Sequence, residues 1–175
     1  YVLDVLRSGR LSYGPYSRRF EAMWAQAHDS KFAVFSNSGT SALQIALQAL
    51  KEKHGWADGD QVVVPATTFV ATANVVLHNR MTPGFVDVDP GTYNIDHAGV
   101  EAAARILPKL RAVIPVHLCG LPADMPRISD IAGRYGLAVV EDSCETTFAD
   151  CHGKKVGAWG DVGCFSTYMA HYVVT

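Results

Sequence analysis

The sequence predicts an α/β fold, a mostly parallel sheet with helices on both faces in a three-layer α/β/α stack. Two observations predict it. Short apolar runs, mostly β-branched, alternate with segments whose apolar residues recur at helical spacing. The runs are continuously apolar, which marks strands buried on both faces. Strand and helix in strict alternation then imply parallel strands joined by covering helices.

The elements follow in order. Residues 1–7 read as the inside of a helix. Residues 32–35 form the first predicted strand, and 40–53 the helix behind it. The next pairs are 61–64 with 69–78, 84–88 with 97–107, and 112–117 with 126–135. Residues 137–141 are a further strand, and 162–167 the last. Boundary residues agree. Asp58-Gly59-Asp60 and Pro83-Gly84 are turns, and Asp89-Pro90-Gly91 closes a strand. Asp96 is placed to cap the helix that carries Val100, Ala103 and Ile106.

Composition excludes several function classes. The 175 residues are 49% hydrophobic, enough for one sizeable core, so residues 1–175 are expected to form a single domain. The net charge of −2, with no basic stripe, speaks against a nucleic-acid partner. No apolar run approaches the roughly 18 residues that cross a membrane. Cys119, Cys144, Cys151 and Cys164 form no CxxC pair, so they read as reduced thiols of a cytoplasmic protein, and no metal site is expected. Tyr1 is not Met, and the chain stops in an apolar stretch with no cap. The expectation is a piece of a longer chain whose C-terminal domain lies outside it.

In such sheets the ligand crevice lies beyond the carboxyl ends of the strands. The first predicted strand leads into Asn37-Ser38-Gly39-Thr40-Ser41-Ala42-Leu43. A helix start with small residues and hydroxyls suits a phosphate, and it also suits an ordinary N-cap. Phe69 follows the second strand. It can stack on a flat ring, though a lone Phe reads first as core packing. His117 follows the fourth, as a structural or a catalytic histidine. The fifth ends in Glu141-Asp142-Ser143-Cys144-Glu145, two adjacent carboxylates that need partners. An Asp beside a pyridine nitrogen keeps that nitrogen protonated. Taken alone, Asp142 reads first as a cap or a surface ion pair. The last strand supplies Ser166, a second phosphate donor, with His171 five residues on.

Further segments join these: Gly9-Arg10-Leu11-Ser12-Tyr13-Gly14-Pro15 before Phe20-Glu21, Thr68-Phe69-Val70-Ala71-Thr72-Ala73-Asn74, Val86-Asp87-Val88-Asp89, Tyr93-Asn94-Ile95-Asp96, Pro115-Val116-His117 and Gly120-Leu121-Pro122-Ala123-Asp124-Met125. In order and spacing, the whole set resembles the pyridoxal 5'-phosphate (PLP)-dependent sugar aminotransferases of fold type I, the DegT/DnrJ/StrS group. The resemblance implies that Gly39 and Thr40, helped by Ser166, hold the cofactor phosphate. It implies that Phe69 stacks on the ring and that Asp142 pairs with the pyridine nitrogen. Glu145 stands where many members have a Gln that contacts the ring hydroxyl. A homodimer with the active site at its interface is also implied.

One position departs from the aminotransferase pattern. Five residues after the phosphate-binding Ser, that group carries the lysine that links to the cofactor. Here the residue is His171. An imidazole has no primary amine, so it cannot form that link. Lys154 and Lys155, in the loop upstream, are poorly placed to replace it. Histidine is instead a good general base near neutral pH. The resemblance therefore narrows to the nucleotide-sugar 3-dehydratases, which use the pyridoxamine form (PMP). The expected function is 3-dehydration of a nucleotide-linked 4-keto sugar with His171 as base. Amino transfer from glutamate to a keto sugar, and a catalytically silent homologue, stay open as alternatives.

Overall fold

A computed structural model describes residues 1–171. The chain groups into two compact units, Tyr1–Phe35 and Ser36–Thr175. In the first unit, α1 spans Val2–Ser8 and stops at Gly9, whose φ of 66° is the left-handed turn glycine supplies easily. Helix α2 spans Pro15–Ala27, with proline in its first turn. The sequence reading contains no helix there. Tyr16, Phe20, Met23, Trp24 and Ala27 recur at helical spacing and are the signal by which it could have been found, although only Ala25 of α2 is buried.

The strand expected at residues 32–35 does not form. Phe32, Val34 and Phe35 are exposed, and no strand pairs with them in the described chain. The N–H of Phe35 donates to the Glu21 carboxylate at 2.9 Å instead of to a ladder neighbour. An apolar run becomes a strand only where a partner takes its N–H and C=O groups.

The second unit holds the sheet. Helix α3 (Gly39–His54) precedes β1 (Gln61–Pro65), α4 (Ala71–His78) and β2 (Thr82–Val86). Then come α5 (His97–Ile106), β3 (Leu110–Val113), α6 (Met125–Tyr135) and β4 (Ala138–Ser143). A hairpin of β5 (Asp150–Cys151) and β6 (Lys154–Lys155) leads to β7 (Val162–Phe165). The hairpin stands where the sequence shows only a Gly-rich loop. The main sheet runs β2-β1-β3-β4-β7, all parallel. Strand β2, the edge, carries Pro83, which cannot donate to a ladder and is tolerated there.

Side chains alternate faces along each strand and fill two cores. Val62, Val64, Ala112, Ile114, Ala138 and Val140 pack with Leu43, Leu47 and Leu50 of α3 and with Val75 and Val76 of α4. Val63, Val113 and Val139 pack with Val100 of α5 and with Ile128 and Ile131 of α6. These two cores are the three layers the sequence predicts. Asp96 caps α5 as expected, accepting from the Ala98 N–H at 3.0 Å. The chain leaves β1 to one side for β2 and crosses back to β3. That reversal opens a crevice at the carboxyl ends of β1 and β3.

Candidate functional site

Asp142 lies near the carboxyl end of β4, 4% exposed. Its backbone is held by the segment after β3: its N–H donates to the Pro115 carbonyl and its C=O accepts from the His117 N–H. Its carboxylate accepts from the Thr72 hydroxyl at 2.9 Å and from the Cys144 N–H at 3.2 Å. Burial pushes the carboxyl above its ordinary pKa, and the donors of Cys144 and Thr72 oppose that only partly. Among the described residues no Lys or Arg forms an ion pair with it. A buried carboxylate with oriented donors and no cation is a receptor for a positive group.

Glu141, its neighbour, points to the opposite face by the period of the strand. It is fully buried and fully bonded. His117 Nε2 lies 3.0 Å from one carboxylate oxygen, which also accepts the Gly157 N–H at 2.8 Å. The other oxygen accepts the Gly160 N–H at 2.6 Å. His117 Nδ1 accepts from the Ala123 N–H at 3.0 Å, so the ring proton sits on Nε2 and donates to Glu141. His117 is the structural histidine of the two readings.

Helix α3 opens at the carboxyl ends of β4 and β7. Ser38 caps it, accepting from the Ser41 N–H at 3.1 Å. A helix start leaves its first N–H groups unpaired. Among the described residues, those of Gly39 and Thr40 find no acceptor. Gly39 is buried so tightly that an added Cβ would come within 2.6 Å of Cys144 Sγ and 3.2 Å of Ser166 Cβ. Gly39 and Ser166, distant in sequence, are thus brought together, with the exposed Thr40 hydroxyl at the same helix start. Phosphate oxygens suit such a cradle of free N–H and hydroxyl groups.

The remaining predicted residues are placed as follows. Phe69 is 68% exposed beyond β1, so the core-packing reading of it fails. Glu145 is half-buried and accepts the Cys119 N–H at 3.0 Å. It clamps the turn after β3, which Thr146 secures by accepting from the Gly120 N–H and donating to the His117 carbonyl. His171 is half-buried, its ring edge-on to Tyr168 at 5.3 Å. Its Nδ1 is buried and has no hydrogen-bond partner among the described residues. Burial pushes the Cys144 and Cys164 thiols far up, so neither is a thiolate nucleophile at ordinary pH. Among the described residues no group of three His, Cys, Asp or Glu side chains is placed for a metal ion, and no helix is long and apolar enough to cross a membrane.

The profile of the DegT/DnrJ/EryC1/StrS aminotransferase family matches residues 1–175. The chain belongs to that family. Among its relatives is the UDP-N-acetyl-3-dehydro-alpha-D-glucosamine 3-aminotransferase of Acidithiobacillus ferrooxidans, 44% identical over 164 residues, covering 94% of this chain and 43% of that protein. DesV of S. venezuelae, solved in complex with a ketimine intermediate, superposes with a TM-score of 0.88 at 37% identity, over 97% of this chain and 44% of its own. The E. coli GDP-4-keto-6-deoxy-D-mannose-3-dehydratase with bound hydrated PLP superposes at 0.90 and 30% identity, over 99% and 44%. The chain spans less than half the length of these relatives.

Two participants in this family member's site escape the sequence reading. Thr72 is fully buried and reaches Asp142 across 70 positions of chain. The available signal is a hydroxyl on an otherwise apolar helix start after a crevice strand. Cys144 fills the space between Asp142 and Gly39. No spacing rule exposes that contact, because α3 and β4 are far apart in sequence.

Proposed function

We propose that this chain holds PLP, or its amine form PMP, in the crevice and acts on a nucleotide-linked 4-keto sugar, removing its 3-hydroxyl. The observation that carries the reading is His171, which stands where the family's aminotransferases have the linking lysine. The residues present fit the cofactor. The N–H groups of Gly39 and Thr40 and the Ser166 hydroxyl would bind its phosphate. Phe69 would cover the ring. Asp142, lacking a cation, would receive the protonated pyridine nitrogen, and the positive charge would return its carboxyl to the ionised form. Glu145, with one oxygen on Cys119, would keep its other oxygen for the ring hydroxyl's proton.

Bound as PMP, the cofactor supplies an amine that condenses with a keto group and a ring that takes up electrons. His171 would serve as the base beside the cofactor's methylene carbon: its imidazole would hold the proton taken there and pass a proton to the departing 3-hydroxyl, which would leave as water. Without a covalent anchor, the phosphate cradle and Asp142 would do the holding. A second copy of the chain would complete the crevice, as the resemblance implies. Amino transfer is the second reading, and the name of the 44% identical relative favours it.

The test is to incubate the full-length protein with PLP, glutamate and GDP- or dTDP-linked 4-keto-6-deoxyhexoses, and to weigh the sugar product. Loss of one oxygen supports dehydration. A nitrogen gained in place of the keto oxygen supports amino transfer and overturns the dehydratase reading. His171→Asn should abolish the first product.

A further inference from the structure

We propose that Thr72, backed by Thr68, is a positioning residue that holds the Asp142 carboxylate for the ring nitrogen. The proposal rests on the reading that Asp142 receives that nitrogen. Thr72 sits in the first turn of α4, where a threonine hydroxyl can bond locally to nearby backbone groups. Here it turns away and donates to Asp142 Oδ2 at 2.9 Å. Thr68 Oγ1 lies 2.8 Å from Thr72 Oγ1.

Protonation fixes the direction of this chain. With the ring's positive charge beside it Asp142 would be ionised, and an ionised carboxylate only accepts, so Thr72 gives its single proton to Asp142. Thr72 can then only accept from Thr68. The order is Thr68 to Thr72 to Asp142, each donor strengthened by the next. The chain begins beside Phe69 at the crevice and ends on a strand two places across the sheet. It ties the ring-facing loop after β1 to the group that would meet the ring's nitrogen. With Oδ2 occupied by Thr72 and Oδ1 by the Cys144 N–H, the carboxylate cannot rotate, and its remaining lone pairs keep a fixed aim.

The test uses the full-length protein stripped of cofactor, titrated with PLP and followed by the absorbance of the bound ring. Thr72→Val keeps the shape and removes the hydroxyl; Thr72→Ser keeps the hydroxyl. Thr72→Val should weaken PLP binding about tenfold or more, the scale of a lost hydrogen bond to a charged group. It should also shift the bound-ring spectrum toward the unprotonated form, and Thr72→Ser should restore both. Melting curves without PLP establish that each variant is folded. Asp142→Asn runs in parallel. If it weakens PLP binding while Thr72→Val leaves affinity and spectrum unchanged, the Thr72 role is overturned alone. Thr72→Ser behaving like Thr72→Val also overturns it, since packing would then be the cause. If Asp142→Asn binds PLP like the parent, the reading beneath falls with it.

Discussion

A carboxylate buried among Thr72 and Cys144 is costly as an anion until a cation meets it. The raised pKa of Asp142 therefore carries a stability consequence in the cofactor-free protein. Its folded form holds a proton more tightly than the unfolded chain. Stability is present below the unfolded pKa of roughly 3.9 and is lost as pH rises through the raised folded value. Asp142→Asn removes this loss. Melting temperatures of cofactor-free protein between pH 4 and 8 should fall less steeply for Asp142→Asn than for the parent. PLP affinity should meanwhile drop by about a hundredfold, as expected when one partner of a buried charge pair is removed. Parallel pH profiles for the two proteins would contradict the raised pKa. At this scale the sequence shows two adjacent carboxylates and their strand period, but not their partners. Gly157, Gly160 and Thr72 lie on loops and a helix whose placement depends on the whole sheet.

Among elements, the start of α3 and the end of β4 are coupled through one contact. Gly39→Ala drives a methyl group against Cys144 Sγ, Ser166 Cβ and the Phe165 carbonyl. Overpacking of this kind costs about 1–3 kcal/mol. Adding Cys144→Ala should recover part of it, leaving the cost from Ser166 and Phe165. Urea unfolding of both singles and the double measures that coupling; strict additivity would show that the contact does not matter. The Glu141 network ties β4 to the loop before β7. Glu141→Gln puts an amide where N–H groups of Gly157 or Gly160 now donate. It should destabilise by about 2–4 kcal/mol in the same experiment. The sheet helices and strands are legible because their cores are continuous apolar runs or wide stripes. The 150–155 hairpin is not, because its two-residue strands carry no such pattern; helix α2 has a stripe at Tyr16, Phe20, Met23 and Trp24, but one broken by charged neighbours and little buried. Residues 32–35 mislead for the converse reason: apolar and β-prone, yet without a pairing partner.

For the molecule as a whole, the exposed apolar side chains are the telling feature. Tyr1, Val2, Leu3, Phe32 and Val34 are all exposed by more than 60%. Residues 1–175 expressed alone should be poorly soluble and self-associate, as large exposed apolar patches do. Monodisperse, soluble behaviour in size-exclusion chromatography would contradict this. The crevice at the carboxyl ends of parallel strands follows from the alternating pattern, so the place of the candidate site is legible before its residues. The proposed chemistry hinges on a single position, His171, which fold-level pattern does not decide. The most direct test of that position is borohydride reduction of the full-length protein loaded with PLP, followed by peptide mass measurement. With His171 in place of the linking lysine, the cofactor should be retained and no lysine adduct should form. A PLP adduct on any lysine would show a covalent anchor, contradict the role of His171, and make ordinary amino transfer the leading reading.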